Sequence, residues 1–375
     1  MKLPVSAALL PPLHDSGAVR LGVTVLTGFL GSGKTTLLNR LLRLPDLRGT
    51  AVIINEFGAV GLDQDLVAQT THTEEDMVLL ANGCICCTVR GDLVAAFETL
   101  AASDAAQRGA LQHIIIETTG LADPAPILHT LMGDPRVARH ARLAGVACTV
   151  DMCHAMRTLD LQPEAVKQVA VADRLLLTKT DLPGAGDLAE LLARLAAINP
   201  AASVTQTGDD NLAALLGLRT LDHEGDSASV RQIDALDLDA AVRAADDGDG
   251  SYQPLRPRGT APGQDVNRHD DRIRAHAIVR DVPLSKEGFF AWLDMIAAMR
   301  GDDLLRVKGI VNLAGESRPL VIHGVQHLFH PPEYLPQWPG EDRRTRIVFI
   351  TRDIEREAID DTLRVFERRR PRGDG

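Results

Sequence analysis

The sequence predicts an α/β fold in which a mostly parallel sheet with helices on both faces is followed by a small α+β domain. The first part alternates apolar strand-like runs with helical periods, which is typical of parallel sheets. The second part groups several strands with two helices, which indicates helices on one face of an antiparallel sheet. The predicted organisation is a tail (1–20), a P-loop type α/β domain (21–221), an acidic linker (222–271), an α+β domain (272–368) and a short tail (369–375).

The predicted elements follow from the periodicity of the apolar residues. Strands of the first domain are expected at 23–26, 50–55, 77–80, 112–117, 144–150 and 175–178. Its helices are expected at 37–42, 89–102, 164–171 and 188–198. The second domain is expected to contain strands at 273–279, 304–313, 320–329 and 346–350, with helices at 286–299 and 354–367.

The composition excludes several classes of partner. The chain has 375 residues, of which 45% are apolar and 24% charged, as in ordinary globular proteins. The net charge of −11 argues against nucleic acid or an anionic membrane as partner, because both bind basic faces. No apolar run is long enough for a membrane span, and the apolar stretch 5–10 is too short for a convincing signal peptide. We therefore expect a cytoplasmic protein. The sequence does not indicate its oligomeric state.

A glycine-rich loop between the first strand and the first helix is the strongest motif. Within 21–36, LGVTVLTGFLGSGKTT, the residues Gly28, Gly33, Lys34 and Thr35 match the spacing G-x-x-x-x-G-K-[ST]. The order strand, loop, helix is the context in which this motif binds nucleotide triphosphates. A loop that merely turns the chain is the alternative interpretation.

The residue types of this loop suit phosphate chemistry. Gly31 and Gly33 allow backbone N–H groups to turn toward phosphate oxygens, where a Cβ would obstruct them. Lys34 can reach the β- and γ-phosphates, and the Thr35 hydroxyl is a candidate ligand of Mg²⁺. Ser32 and Thr36 complete the predicted nucleotide ligands of this loop.

A second nucleotide motif follows the strand at 175–178. Thr178, Lys179 and Asp181 form a TKTD sequence that resembles the guanine-recognition [N/T]KxD element of GTPases. The Asp181 carboxylate can accept from the N1–H and amino groups of guanine, which adenine lacks, and the Lys179 stem can cover the base. Downstream of a P-loop this favours GTP over ATP, whereas a capped turn is the alternative. Thr178 occupies a position where asparagine is commoner.

Glu117 closes another apolar strand shortly before Gly120. A carboxylate in this position can hold Mg²⁺ through a water or polarise the attacking water, while Gly120 senses the γ-phosphate. A strand-end carboxylate that caps the next turn is the alternative interpretation. Lys34, Thr35 and Glu117 are thus the predicted catalytic residues.

Three cysteines occur within four residues. Cys84, Cys86 and Cys87 follow an Asn-Gly turn, and thiolates in this spacing suit Zn²⁺ or Cu(I) better than a disulfide framework. Three sulfurs leave a fourth position on a tetrahedral ion, for which Glu56 is a candidate; a γ-phosphate sensor is its other possible role. A buried trio of small side chains and a redox switch remain alternatives.

The ordered motifs GFLGSGKTT, NEFGAVGLD, GCICCTVRGDL, ETTGLADPAP and TKTDL, with HGVQHLFHPP near the C-terminus, resemble the CobW-type metallochaperone GTPases of the SIMIBI class. The resemblance covers about residues 21–368. It implies GTP hydrolysis with Mg²⁺ and GTP-dependent transfer of Zn²⁺ from the CxCC motif to client metalloproteins. It places Cys84, Cys86, Cys87 and Glu56 at metal positions and Lys34, Thr35 and Asp181 at nucleotide positions.

The chain departs from that family in two places. Ala59 stands where a second loop glutamate is common, so no carboxylate can act there. The histidine-rich stretch of some members is absent, since the linker offers only His223 and His269. Metal storage by that route is therefore not expected.

Several alternatives remain open at this point. Cobalt or nickel could replace zinc, because thiolates alone do not select among these metals. A nucleotide-dependent zinc sensor and a small-molecule kinase are further possibilities. His323 and His327 would share a face if 320–329 is one strand. With His330 they could form an accessory metal site, face the first domain, or be a histidine pair without metal. Cys148 is expected in the core, and Cys153 with His154 is expected to pack locally rather than bind metal.

Overall fold

A computed structural model describes most of both predicted domains. The described residues are 20–42, 44, 49–55, 77–79, 89–182, 187–207, 272–330 and 332–367. The linker and most of both tails lie outside them. The predicted domain boundaries therefore stay a prediction.

The first domain is built on a parallel sheet. In the described residues it has seven strands in the order β3-β2-β4-β1-β5-β6-β7, and every neighbouring pair is parallel. The strands are β1 (Leu21–Gly28), β2 (Thr50–Asn55), β3 (Met77–Leu79), β4 (His113–Thr118), β5 (Ala141–Asp151), β6 (Arg174–Thr178) and β7 (Ser203–Gln206). The predicted α/β class is confirmed.

Helices connect these strands. They are α1 (Lys34–Leu42), α2 (Val89–Ala102), α3 (Asp104–Gln107), α4 (Ala125–Gly133), α5 (Pro135–His140), α6 (Ala155–Leu161), α7 (Pro163–Val171) and α8 (Leu188–Ile198). The sequence did not predict α3 to α6, because each is short, and α4 and α5 are separated only by a break before Pro135. Asp134 ends α4 and caps α5, with its carboxylate accepting from the Arg136 amide at 3.0 Å.

The sheet is buried on both faces, which explains its continuous apolar strands. All six residues of β4 are buried, although Glu117 and His113 are among them. Leu37, Leu38 and Leu41 of α1 are spaced at i, i+1 and i+4, and they pack against strand residues that include Leu26, Val52, Ile115 and Leu176. This contact fixes the start of α1 against the end of β1, where the glycine loop lies.

The second domain is an antiparallel sheet covered by two helices. Its strands are β8 (Ile273–Arg280), β9 (Leu304–Val311), β10 (Leu320–Val325), β11 (Leu328–Phe329), β12 (Glu333–Tyr334) and β13 (Thr345–Arg352). Their order is β11-β10-β9-β13-β8, and β12 also pairs with β10. The helices α9 (Lys286–Arg300) and α10 (Arg356–Glu367) follow β8 and β13. The predicted α+β arrangement is confirmed.

Aromatic packing on one face of this sheet forms the core of the second domain. Trp292 of α9 is fully buried, stacks edge-on against Phe349 of β13 and contacts Phe289, with both centroid distances at 5.9 Å. Its indole N–H donates to the Thr362 hydroxyl of α10 at 3.1 Å. One side chain therefore joins both helices to the sheet.

The predicted strand at 320–329 is wrong. The chain turns back after Val325, and β11 pairs antiparallel with β10 across a two-residue loop, Gln326-His327. Gln326 adopts φ of 55°, in the left-handed region. Glycine or asparagine usually marks such a loop, and because neither is present, no local pattern predicts this hairpin.

Among the described residues, no helix combines the length and the apolar character that crossing a membrane requires.

The buried His113 predicts an acid-sensitive fold. Burial, and next the positive charge of Arg142, lower the pKa of His113 from 6.5 to about 3. Below pH 6.5 this histidine is protonated in the unfolded chain, whereas in the folded chain it stays neutral until about pH 3. The unfolded state therefore binds more protons between these values, and the unfolding free energy falls as the pH falls. When the pH is lowered from 7 to 5, we expect the unfolding free energy of His113→Gln to fall by about 2 kcal/mol less than that of the wild type.

The measurement is urea unfolding at both pH values, followed by circular dichroism. Glutamine cannot titrate there but can still bond the Thr24 hydroxyl, which lies 2.9 Å from the His113 Nε2 atom. His140→Gln, at an exposed histidine, is the matched control and should behave as wild type. An unchanged pH dependence in His113→Gln would contradict the prediction.

Candidate nucleotide-binding site

The carboxyl ends of the central strands meet at one edge of the sheet. Gly28, the last residue of β1, lies beside Thr149 near the end of β5, and Asp151 lies beside Thr178 at the end of β6. Glu117 is the penultimate residue of β4, the other neighbour of β1. The loops that follow these strands therefore lie together, at the usual ligand position of a parallel sheet.

Gly28 explains why the loop after β1 requires glycine. Its φ is 140°, and a Cβ there would lie 2.2 Å from the Thr149 Oγ1 atom and 2.6 Å from the Thr149 carbonyl oxygen. Gly31 and Gly33 also have positive φ values, of 70° and 92°. A side chain at Gly28 would therefore overlap Thr149 and would also strain the backbone.

Lys34 lies against the loop that it closes. The side chain is 7% exposed, and its ammonium group donates to the Gly28 carbonyl at 2.9 Å and to the Phe29 carbonyl at 3.2 Å. These bonds bend the side chain back over the loop instead of away from it. The positive charge is thus held beside the backbone N–H groups of the loop and next to the N-terminus of α1, a combination that favours an anionic ligand.

Thr35 and Glu117 come together although 82 residues separate them. The Thr35 hydroxyl donates to the Glu117 Oε1 atom at 2.9 Å, and the Glu117 side chain is 2% exposed. A hydroxyl and a carboxylate side by side supply the oxygen ligands that Mg²⁺ prefers. The donor set therefore fits the ion that the sequence predicts.

Thr178 joins the second motif to the first. Its hydroxyl donates to the Ser32 carbonyl of the glycine loop at 2.7 Å, and a Cβ on Gly33 would lie 3.5 Å from the Thr178 methyl carbon. Ser32 in turn shares a 2.6 Å hydrogen bond between its hydroxyl and that of Thr149. The threonine that replaces the commoner asparagine thus ties the TKTD loop to the phosphate loop.

Lys179 is held by a carboxylate that the sequence analysis did not single out. Its backbone has φ of 57°, and its ammonium group lies 2.8 Å from the Asp151 Oδ2 atom. Asp151 also contacts the His154 Nδ1 atom at 3.0 Å and accepts from the Cys153 amide at 2.9 Å. Burial alone would raise the pKa of Asp151, but the bonds from Lys179, His154 and Cys153 outweigh it and lower the pKa.

Three other predicted nucleotide ligands are placed on the surface. Thr36, Gly31 and Asp181 are exposed, so a ligand can reach them. Gly120 is pressed against the glycine loop: a Cβ there would lie 2.6 Å from the Leu30 amide nitrogen. The structure thus brings Gly120 to the phosphate loop and leaves the Asp181 carboxylate open to solvent.

The predicted zinc ligands Cys84, Cys86, Cys87 and Glu56 lie outside the described residues, as does Ala59. Within the described part of the chain, no group of three His, Cys, Asp or Glu side chains is arranged to hold a metal ion.

The other two cysteines lie where the sequence suggested. Cys148 is buried in β5, as expected, and burial raises the pKa of its thiol to about 12 despite the nearby positive charge of Lys34. The Cys153 thiol lies 3.9 Å from the Lys179 carbonyl oxygen, which agrees with local packing.

The histidines of the second domain are arranged differently from the expectation. Because the strand ends at Val325, His327 occupies the hairpin loop and does not share a strand face with His323. His323 instead faces His330, with ring centroids 6.3 Å apart and nearly perpendicular rings. Lys308, itself 2% exposed, is the cross-strand neighbour of His323 on β9. A second cation beside this ammonium group is unfavourable, which argues against the accessory metal site.

Sequence reasoning missed Asp151 and Thr149, which support the two motifs. Asp151 carried the same signal as Glu117, a carboxylate at the end of an apolar strand, and could have been found by it. Thr149 lies inside a strand and carries no signal until the register with Gly28 is known.

Two family descriptions match this chain. Residues 22–206 match "CobW/HypB/UreG, nucleotide-binding domain", and residues 273–367 match "Cobalamin synthesis protein cobW C-terminal domain". Together these matches cover the two domains that the structure describes.

Relatives match over nearly their whole length. The "Zinc chaperone YjiA" of Escherichia coli is 32% identical over 342 residues, 90% of this chain and 96% of that protein. The "Zinc-regulated GTPase metalloprotein activator 1" of Schizosaccharomyces pombe is 28% identical over 92% of this chain and 85% of its own length. The crystal structure of Zn(II)-bound YjiA GTPase from E. coli superposes with a TM-score of 0.63 at 26% identity, covering 92% of this chain and 99% of that chain.

The two loop glycines make a matched pair of substitutions. We expect Gly28→Ala to lower the unfolding free energy by about 3 to 5 kcal/mol, because the new Cβ overlaps Thr149 and the backbone is strained. Gly31→Ala should cost only about 1 to 2 kcal/mol, because nothing lies within 4 Å of its Cβ and only the positive φ opposes it. Denaturant unfolding without nucleotide measures both values, and equal losses would show that the contact with Thr149 is unimportant.

Proposed function

The chain belongs to the CobW family of GTPases, and we propose that it is a metallochaperone that binds zinc at its CxCC motif and transfers it to a client metalloprotein in a GTP-dependent step. The observation that carries the nucleotide half of this proposal is the convergence of Lys34, the Thr35–Glu117 pair and the TKTD loop on one edge of the sheet. The zinc half is supported by the cysteine spacing and by relatives named as zinc chaperones.

The glycine loop and Lys34 hold the phosphates of GTP. The Lys34 ammonium group, which donates to the Gly28 and Phe29 carbonyls, would exchange these partners for phosphate oxygens. The Thr35 hydroxyl and the Glu117 carboxylate, which lie 2.9 Å apart, would hold Mg²⁺. When bound, that ion neutralises charge that develops on the phosphates.

Guanine recognition falls to the TKTD loop. Asp181, exposed at the edge of the sheet, accepts from the N1–H and amino groups of the base. The Lys179 stem covers the base, and the Asp151 carboxylate keeps its ammonium group in place. The Thr178 bond to Ser32 fixes the distance between the base site and the phosphate site.

The metal is the cargo. Cys84, Cys86 and Cys87 supply soft thiolates, and Glu56 is the proposed fourth ligand. Glu56 directly follows Asn55, which pairs with Thr118 beside the predicted catalytic Glu117. A ligand there would connect the γ-phosphate with the metal, so that nucleotide state and zinc affinity become linked.

The client metalloprotein is the proposed partner, and the cytoplasm, where thiols stay reduced, is the proposed location. Cobalt or nickel as cargo and zinc sensing without delivery are the alternative functions, and the transfer to an apo-enzyme described below distinguishes delivery from sensing.

Base recognition is tested by exchanging the accepting carboxylate. Asp181→Asn should reduce GTP affinity at least about tenfold, because an amide cannot accept from both guanine donors. The same variant should gain affinity for xanthosine triphosphate, whose base has an oxygen in place of the amino group. Titration with fluorescent nucleotides measures both. A wild-type protein that binds ATP as tightly as GTP would contradict guanine recognition.

Linkage is tested by zinc titration of protein loaded with GDP or with a non-hydrolysable GTP analogue. We expect zinc affinities that differ by at least about fivefold between the two states. Cys84→Ser, Cys86→Ser and Cys87→Ser combined should abolish the zinc site and leave GTP binding unchanged, which makes this variant the control. Equal zinc affinities, with transfer to an apo-enzyme independent of nucleotide, would contradict a GTP-driven chaperone.

A further inference from the structure

A fully buried glutamine on α7 holds the loop that follows β4. The Gln168 amide nitrogen donates to the Gly120 carbonyl at 3.2 Å and to the Ala122 carbonyl at 3.0 Å, and the side chain is 0% exposed. Only an NH₂ group can satisfy two carbonyl acceptors, so these contacts also define the orientation of the amide. Both of its hydrogens are used on this one loop.

The surroundings of Gln168 make this contact unusual for a core position. Its neighbours on α7 that face the interior are apolar: Ala165, Val166, Val169 and Ala170 are all buried. Burying a primary amide among them costs free energy that only its hydrogen bonds offset. An apolar side chain would serve packing alone at less cost. The amide therefore acts on the loop and not merely on the core.

The held loop also touches the phosphate loop. A Cβ on Gly120 would lie 2.6 Å from the Leu30 amide nitrogen and 2.7 Å from the Leu30 Cα atom. Gly120 thus lies close to Leu30 and also accepts a hydrogen bond from the Gln168 amide. A second contact from α7, between Lys167 and Asp123 at 3.2 Å, is partly exposed and correspondingly weak.

We propose that Gln168 is a positioning residue that sets the Gly120 peptide for the γ-phosphate and thereby gives the site its preference for GTP over GDP. This inference rests on the proposed function. Glycine has no side chain of its own to restrict its backbone, so the orientation of the Gly120 peptide depends on what holds its carbonyl. Gln168 holds this carbonyl, and GDP lacks the γ-phosphate that Gly120 is predicted to sense.

The same geometry makes α7 a reporter of the nucleotide. The bonds from Gln168 join the loop to the helix, so a γ-phosphate that holds Gly120 in place also restrains these bonds. The γ-phosphate is therefore expected to alter α7 together with the loop, at a helix that contributes none of the predicted nucleotide ligands.

Gln168→Met tests the proposal, because methionine keeps the length of the side chain and removes both donors. We expect the affinity for a non-hydrolysable GTP analogue to fall about tenfold while the affinity for GDP changes less than about twofold. Gln162→Met is the matched control. Gln162 and Gln168 both line a cavity of about 470 Å³ beside the phosphate loop, but the Gln162 side chain makes no hydrogen bond to the loop at 119–123. It should bind both nucleotides as wild type does.

Equal losses for the GTP analogue and GDP, or no loss for either, would overturn the positioning role and leave Gln168 structural. If wild type itself shows no preference for guanine nucleotides, the proposed function fails, which is a separate result. Hydrogen exchange on the wild-type protein covers the case of a variant that does not fold. Protection should change in 118–124 and in 163–171 together when the GTP analogue replaces GDP, and a change confined to 118–124 would contradict the proposal.

Discussion

The parallel register of β1 with β4 and β5 is the constraint on which the site depends. Since neighbouring parallel strands end at one edge of the sheet, the strand ends themselves bring residues that are far apart in sequence close together, and no long loop is needed. Glu117 meets Thr35, and Thr149 meets Gly28, because of this register. The close approach at Gly28 leaves no space for a side chain, so register and loop conformation support each other.

The edge carries charges that a core would not retain. Lys34 and Glu117 are almost completely buried, and a buried ion is costly unless hydrogen bonds surround it. Lys34 donates to loop carbonyls, and Glu117 accepts from the Thr35 hydroxyl. The hydroxyls of Thr149 and Thr178 extend this network to the base-recognition loop. The network does little for the core, and its value lies in the fixed geometry that it gives to the phosphate and base sites.

The sequence predicted this edge well because its motifs are local. The glycine loop needs one strand, one turn and one helix, all within 16 consecutive residues, and the strands themselves are apolar runs with clear ends. The roles of Thr149 and Gln168 arise from contacts between distant segments, which the sequence does not reveal, whereas Asp151 carried the same strand-end signal as Glu117. The hairpin after Val325 escaped for a local reason, since Gln326 adopts a left-handed conformation without the usual glycine or asparagine. The roles assigned to Cys84, Cys86, Cys87 and Glu56 remain predictions, because these residues lie outside the described part of the chain.

The burial of Cys148 has a practical consequence for the chemistry of the other thiols. Its sulfur is enclosed in β5, and a thiol with a pKa of about 12 is essentially never ionised near neutral pH. Since alkylating and oxidising reagents attack the thiolate, Cys148 stays silent in the native protein and becomes reactive only when the sheet opens. Cys148 is thus a built-in reporter of unfolding. If a reagent modifies other thiols but not Cys148, the reaction took place on the folded protein, whereas modification of Cys148 shows that the sheet had opened.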